Sequence, residues 1–296
     1  MSKILIVYFS GTGGTKMAAE ALMEKLNENG EQADILSLDL SRQKSLGGAN
    51  SKLEDIDRLV LLYPVYSFDA PKPVYRWLRT LPKMNGLKAS VISVAGAGDQ
   101  KPNKPSRQRS IRVMERKGFI VDHEDMLAMP SNYFKSAGES INMLLIKALP
   151  VTMGKIAEDI VQGRMERRER IFAPSQSISA TFFKFGAMMF GLTLYANKDC
   201  TDCKVCEKSC PTGNIQIKNG RMKTSTKCTW CMRCTYVCPQ NAVKSLFLGG
   251  AILKDGFNIK DMKKRADKAD EEKLLLDVKR NPWFDGAVDY IESIYK

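Results

Sequence analysis

Ile4-Leu5-Ile6-Val7-Tyr8-Phe9 runs without a break into Ser10-Gly11-Thr12-Gly13-Gly14-Thr15, and a helical pattern begins at Thr15. Six apolar residues in a row have no polar face, so the run reads as a strand covered on both sides, as in a parallel sheet flanked by helices. Met17, Ala18, Ala21, Leu22 and Leu26 then recur on one face of a helix spanning 15–29 that stops at Gly30. The loop between strand and helix is built from glycines and hydroxyls. Glycine lets a main chain approach an anion closely, and the N–H groups of a helix start point toward it. The loop lacks the Gly-Lys-Ser/Thr ending of a Walker loop and the G-x-G-x-x-G of a dinucleotide fingerprint.

The same alternation continues outward. Strand patterns occupy 3–9, 33–38, 58–63, 90–95 and 119–127; helical patterns occupy 73–81, 107–117 and, as one long helix charged after Gly163, 142–170. Strands alternating with helices predict an α/β fold, a doubly wound five-stranded parallel sheet over residues 1–170. Residues 171–197 read as a connector helix, with Ile178, Phe182, Phe185, Met189 and Leu192 at helical spacing as its packing face. A small cysteine-bearing module follows at 198–250. A C-terminal helical tail fills 251–296, with a charged helix near 261–278, an aromatic anchor at Trp283-Phe284, and packing over the domain junction as its expected place.

All eight cysteines fall in that module, in one spacing written twice: Cys200-x-x-Cys203-x-x-Cys206-x-x-x-Cys210-Pro211 and Cys228-x-x-Cys231-x-x-Cys234-x-x-x-Cys238-Pro239. The repeat has a period of 28 and extends to Ile215 and Val243, apolar residues placed to cover a cofactor. Thiolates select zinc or iron–sulfur centres. Structural zinc pairs one C-x-x-C knuckle with a distant second pair, whereas three cysteines at intervals of three wrap the corners of a cube. The spacing resembles that of bacterial two-[4Fe–4S] ferredoxins, small α+β modules in which the fourth cysteine ligates the other cluster. That resemblance implies one cluster on Cys200, Cys203, Cys206 and Cys238, and a second on Cys228, Cys231, Cys234 and Cys210. Pro211 and Pro239 are expected to turn the chain away after each crossing ligand.

The first loop resembles the flavodoxin phosphate motif T/S-x-T-G-x-T, with Gly14 where many members carry Asn. A flavodoxin-like fold would bring two further loops to the same end of the sheet, Tyr63-Pro64-Val65-Tyr66-Ser67-Phe68 and Gly96-Ala97-Gly98-Asp99-Gln100. The resemblance implies that FMN is bound by Ser10, Gly11, Thr12, Gly13, Gly14 and Thr15, by Pro64, Val65, Tyr66 and Ser67, and by Gly96, Ala97, Gly98 and Asp99, with Tyr66 over one ring face. Tyr63 and Phe68 could equally be core aromatics. The order of the two units resembles the flavodoxin–ferredoxin fusion proteins of clostridia and related anaerobes. It implies an electron-transfer protein carrying FMN and two [4Fe–4S] clusters; the alternative is an FMN-dependent reductase of a quinone, nitro or unsaturated compound. No residue takes a catalytic role on this reading.

Charge suggests a partner. The chain carries 46 Lys and Arg against 33 Asp and Glu, a formal charge of +13, with 26 against 20 before residue 171 and 9 against 3 in 198–250. Two oxidised clusters and a flavin phosphate lower this to about +7. A basic surface steers an acidic redox protein. Nucleic acid is not expected, since the basic residues form no dense tract and no recognition motif accompanies them. Cys-rich sequence without a signal peptide fits a reducing cytosol in an anaerobic cell. No membrane span is expected, because the longest apolar stretch, 185–196, is shorter than the ~20 residues a spanning helix needs. His123, the sole histidine, is expected at the surface or in a cap, and Lys101, Lys104, Arg107, Arg109, Arg112 and Arg116 on a solvated helix face or a docking patch.

Overall fold

A computed structural model describes residues 1–39, 53–164, 174–219 and 221–296, with backbone alone for 174–178. β1 (Lys3–Tyr8) lies between β2 (Gln32–Ser37) and β3 (Arg58–Pro64), and β4 (Lys88–Ala95) and β5 (Ile120–Ala128) complete a parallel sheet in the order β2-β1-β3-β4-β5. This is the flavodoxin-like doubly wound order, with its switch point between β1 and β3. Side chains divide by strand period: Ile4, Ile6, Val60, Leu62 and Ile92 enter one core and Leu5, Val7, Leu59, Leu61 and Val91 the other. The first core is closed by α1 (Gly14–Glu28), α4 (Glu139–Lys147) and α5 (Leu149–Val161), the second by α2 (Lys72–Thr80) and α3 (Gln108–Arg116).

Several expectations change here. The long helix is two, because Pro150 has no N–H to continue α4's ladder and is favoured in the first turn of a new helix. Its charged extension, 165–170, lies outside the described residues. Among the described residues, the run Glu139–Val161 is long and apolar enough by composition to cross a membrane, with mean hydropathy 1.2, and 61% of that window is buried within the protein. His123 is buried, 1% exposed, within β5 opposite Ser90, because β5 is covered on both faces. Arg107 is also fully buried rather than solvated, and its Nε donates to Glu124 Oε2 at 3.0 Å. The β4–β5 register shifts by one residue at Asp122, which pairs with buried Arg58 beneath the sheet.

The tail does not lie over the junction alone. α9 (Ile259–Lys268), α10 (Glu271–Leu276) and α11 (Asp285–Tyr295) place Ile259, Ala266, Leu274, Ala287, Val288 and Ile291 in the first core. The one charged helix expected there is split at Asp270, whose carboxylate caps α10 by accepting from the Lys273 N–H.

The cysteine module is α+β: β6 (Leu194–Ala196) pairs antiparallel with β9 (Val243–Ser245), β7 (Ile215–Lys218) with β8 (Arg221–Thr224), and α7 (Val205–Ser209) and α8 (Arg233–Tyr236) follow the two cysteine turns. α6 (Pro174–Leu192) packs on it with the opposite face from the one expected. Ala180, Ala187 and Phe190 are buried, while Phe182 is 72%, Phe185 56% and Leu192 41% exposed.

Candidate functional site

The two cysteine turns have the same backbone. Left-handed residues recur at the period of the sequence repeat: Asp202 and Trp230, Lys204 and Met232, Gly213 and Asn241, with φ between 49° and 62°. Left-handed non-glycine residues cost of order 1 kcal/mol or more each and persist where surrounding structure demands them. Here each turn curls its thiols inward. The repeat also governs hydrogen bonding, since Cys210 Sγ accepts from the Asn214 N–H and Cys238 Sγ from the Ala242 N–H, both at 3.2 Å.

The thiols gather into two groups that cross between the turns. Burial pushes the Cys206 thiol up to about 11, and its neighbours Cys238 and Cys200 push the same way. Cys200, Cys203, Cys206 and Cys238 line one small cavity. Burial likewise raises Cys228 to about 12, with Cys231 and Cys210 as charge neighbours. Cys234 is raised well above the ordinary thiol value by burial, with Cys231, Cys228 and Cys210 adding to it and Cys206 of the first group adding least. The first group reaches the surface, where Cys203 is exposed, while Cys210 and Cys231 of the second are buried. Among the described residues no three His, Cys, Asp or Glu side chains converge as a single metal ion requires. Thr229 Oγ1, Trp230 Nε1 and Asn214 Nδ2, on the segments of the second group, are buried without a protein hydrogen-bond partner. Donors left in that state suit the sulfides of a cluster, which accept hydrogen bonds.

The glycine–hydroxyl loop lies at the carboxyl end of β1. Gly13 takes φ 107°, a conformation that needs glycine, and stands at the N-cap of α1. Ser10 Oγ accepts from the Gly13 N–H at 3.2 Å and closes the loop on itself. Above it opens a cavity of about 580 Å³, within the range of cofactor pockets, lined by the loop, by the segments after β3 and β4, and by residues 129–135 after β5.

The cavity and the second thiol group share a wall. A methyl group at Gly11 would lie 2.1 Å from Tyr66 Oη and 2.8 Å from Cys231 Cβ, so loop and cysteine are in direct contact. Asn132 Nδ2 donates to Thr12 Oγ1 at 2.8 Å and to the Cys231 carbonyl at 3.2 Å. Trp230, 5% exposed, lines the cavity and packs edge-on to Tyr133 with centroids 4.9 Å apart. Arg233, between Cys231 and Cys234, donates to the carbonyls of Ser10 and Gly11 and to Asp39. Burial alone would lower its pKa, but the neighbouring Cys231 thiolate and Asp39 outweigh that and hold it above the ordinary value.

Residues 199–243 match the 4Fe-4S dicluster domain family. The chain joins a flavodoxin-like fold to a 4Fe-4S dicluster domain. One component of the ion-translocating oxidoreductase complex of Methanosarcina acetivorans is 41% identical over 46 residues, 15% of this chain, and the chain spans 17% of that relative's length. The flavodoxin of Streptococcus pneumonia TIGR4 is 14% identical over 55% of this chain and 99% of its own, with a TM-score of 0.40. The general stress protein 14 of Treponema denticola, solved in complex with FMN, is 11% identical over 54% and 97%, with a TM-score of 0.39.

Within the flavodoxin-like unit, Ser10, Gly11, Thr12, Gly14, Thr15, Pro64, Val65, Tyr66, Ser67, Gly96 and Ala97 all line the cavity. Gly13, Gly98 and Asp99 stand outside that lining. Gly13 abuts Ile259 of α9 and Gly98 abuts Gly286 of α11, where any side chain would strike backbone 2.6 Å away. Asp99 turns back toward Arg107, 3.9 Å away. Tyr63 is core, its hydroxyl 2.6 Å from Ser110 Oγ, whereas Phe68 lines the cavity and meets Phe183 of α6. Sequence reading missed the segment after β5, above all Asn132 and Tyr133, and the tail aromatics Phe257, Trp283 and Phe284, which wall the same cavity. The Trp283-Phe284 pair was visible as an anchor; nothing in a single sequence tied it to this pocket.

Proposed function

We propose that the chain is a flavo-iron–sulfur electron-transfer protein. In this reading an outer [4Fe–4S] cluster is held by Cys200, Cys203, Cys206 and Cys238, an inner one by Cys228, Cys231, Cys234 and Cys210, and FMN by the cavity above the first loop. The observation that carries it is the contact of Gly11 with Cys231, which sets the inner thiol group against the nucleotide loop. FMN, when bound, supplies a centre able to exchange one or two electrons, whereas each cluster exchanges one. The protein's part is placement. The Ser10–Thr15 loop and the start of α1 present N–H groups and hydroxyls to the phosphate. Tyr66 and the segment 64–68 flank the ring on one side. Trp230, Tyr133 and the tail aromatics keep water from the shared wall.

At the other end, Lys198, Lys204 and Lys208 are exposed on the segment that carries the exposed Cys203, outnumbering the exposed Asp199 and Asp202 there. They suit docking by an acidic redox protein. A reducing cytosol and anaerobic metabolism fit eight thiols committed to iron. The reductase reading is favoured by one feature, the aromatic wall formed by Phe134, Phe257 and Trp283 beyond the three flavin loops.

An anaerobic preparation is expected to hold about eight irons and one FMN. Thr12→Ala with Thr15→Ala should lower FMN occupancy and leave iron unchanged; unaltered occupancy removes the phosphate-loop assignment. Rapid mixing of the holoprotein with reduced ferredoxin, with and without a quinone, then separates carrier from reductase by whether the quinone is consumed.

A further inference from the structure

Arg233 belongs to the inner cysteine turn yet gives four of its five N–H donors to other segments. Nε donates to the Gly11 carbonyl, Nη2 to the Ser10 carbonyl, and Nη1 to both Asp39, at the end of β2, and the Ser209 carbonyl at 2.9 Å. Its side chain is 11% exposed and that of Asp39 is 3% exposed. Charge-assisted bonds from a planar fork fix geometry as well as energy. In a trans peptide the carbonyl of one residue and the N–H of the next point in opposite directions. Drawing the Ser10 and Gly11 carbonyls toward Arg233 therefore turns the Gly11 and Thr12 N–H groups away from it. Ser10, Gly11 and Thr12 line the cavity; the Gly11 N–H is met by the Tyr66 hydroxyl, so the Thr12 N–H is the donor whose orientation toward an anion the clamp sets.

We propose that Arg233 is a positioning residue by which the inner cysteine turn sets the peptide planes of the phosphate loop, so that flavin binding and the inner cluster are coupled. The proposal rests on the FMN and cluster assignments above. Ligation of Cys231 and Cys234 fixes the turn that carries Arg233, and the loop is fixed through it; by linkage, each cofactor then favours the other. Asp39 and the Ser209 carbonyl, next to Cys210, hold the fork in place from the two units it joins.

The test uses full-length holoprotein with its iron retained, from which FMN is removed and titrated back by fluorescence, for wild type, Arg233→Gln, Arg233→Lys and Asp39→Asn. The FMN Kd should rise at least tenfold, about 1.4 kcal/mol, in all three variants. The midpoint potential of the inner cluster should fall in Arg233→Gln, which loses a positive charge, and hold in Arg233→Lys, which keeps it. Recovery of wild-type Kd by lysine would overturn the clamp in favour of a simple charge effect. A Kd within twofold of wild type in iron-replete variants would overturn the coupling. If Arg233→Gln loses iron, Asp39→Asn, outside the cysteine turns, decides by the same criterion. Absence of FMN binding in wild type sinks the functional reading and this inference together, whereas FMN and iron bound independently sink this inference alone.

Discussion

Gly191 has no room for a side chain. A methyl group there would lie 2.2 Å from Cys228 Cβ and 3.1 Å from its sulfur, so α6 supports the inner thiol group by backbone contact. Gly191 stands in the last turn of α6, and its missing side chain is what permits the close approach. Gly191→Ala is accordingly expected to displace Cys228 and reduce iron from about eight to about four per chain, with FMN bound more weakly than in wild type through the coupling argued above; an iron assay showing eight would refute α6 as the support. Residues of this kind mark the limit of sequence reading. The eight thiols were legible because ligand spacing is local: a chain that wraps a cube must repeat at fixed intervals. Gly191, Asn132 and Arg233 were not, because what makes each matter is a partner 37, 99 or more than 190 residues away. Gly98, expected at the flavin, instead abuts α11 and stands outside the cavity lining.

Elements were legible where burial and periodicity agree. β1, β3 and β4 were, because near-continuous apolar runs are covered on both faces, whereas β2 and β5, with polar residues inside them, were read from the alternation with helices. α6 was misread because large apolar residues at helical spacing suggest a buried stripe, whereas its packing face combines Phe190 with small residues that permit close approach. Gly191 and Gly186 allow the helix to approach Cys228 and Trp230, leaving Phe182 and Phe185 outward. The tail poses the converse problem, since its charge balance of 10 against 10 reads as a charged helix packed over the domain junction, with no sign of a core role. Yet Ile291 of α11 is 1% exposed in the same core as Leu22 and Leu26 of α1. Ile291→Ala should therefore cost the flavodoxin-like unit about 2–5 kcal/mol, read from denaturant unfolding, with iron content unchanged. A loss under about 0.5 kcal/mol, ordinary for a surface substitution, would show that the tail is an appendage and not part of the first core.

Over the whole molecule the proposed centres are graded by access to water. Cys203 makes the outer group the one with an exposed cysteine, although its Cys206 is buried; the inner group has none, with Cys210 and Cys231 buried and Cys228 and Cys234 partly so, and Trp230 lines the cavity beside it. That order also fixes where the units are tied. Lys72 Nζ donates to the Thr226 carbonyl at 3.1 Å and Lys184 pairs with Asp69, so the inner end of the dicluster domain is the end held to the flavodoxin-like unit. Iron–sulfur centres respond to solvent exposure, and oxidants or chelators reach an exposed cluster first. Anaerobic holoprotein exposed to limited oxygen should thus lose iron in two phases, about four atoms first, with FMN still bound after the first phase. Cys203→Ser should remove the early phase and leave the late one and the flavin in place. Loss of all iron in one phase, or release of FMN before any iron, would mean that the outer site does not shield the inner one and that the graded path from surface to flavin is wrong.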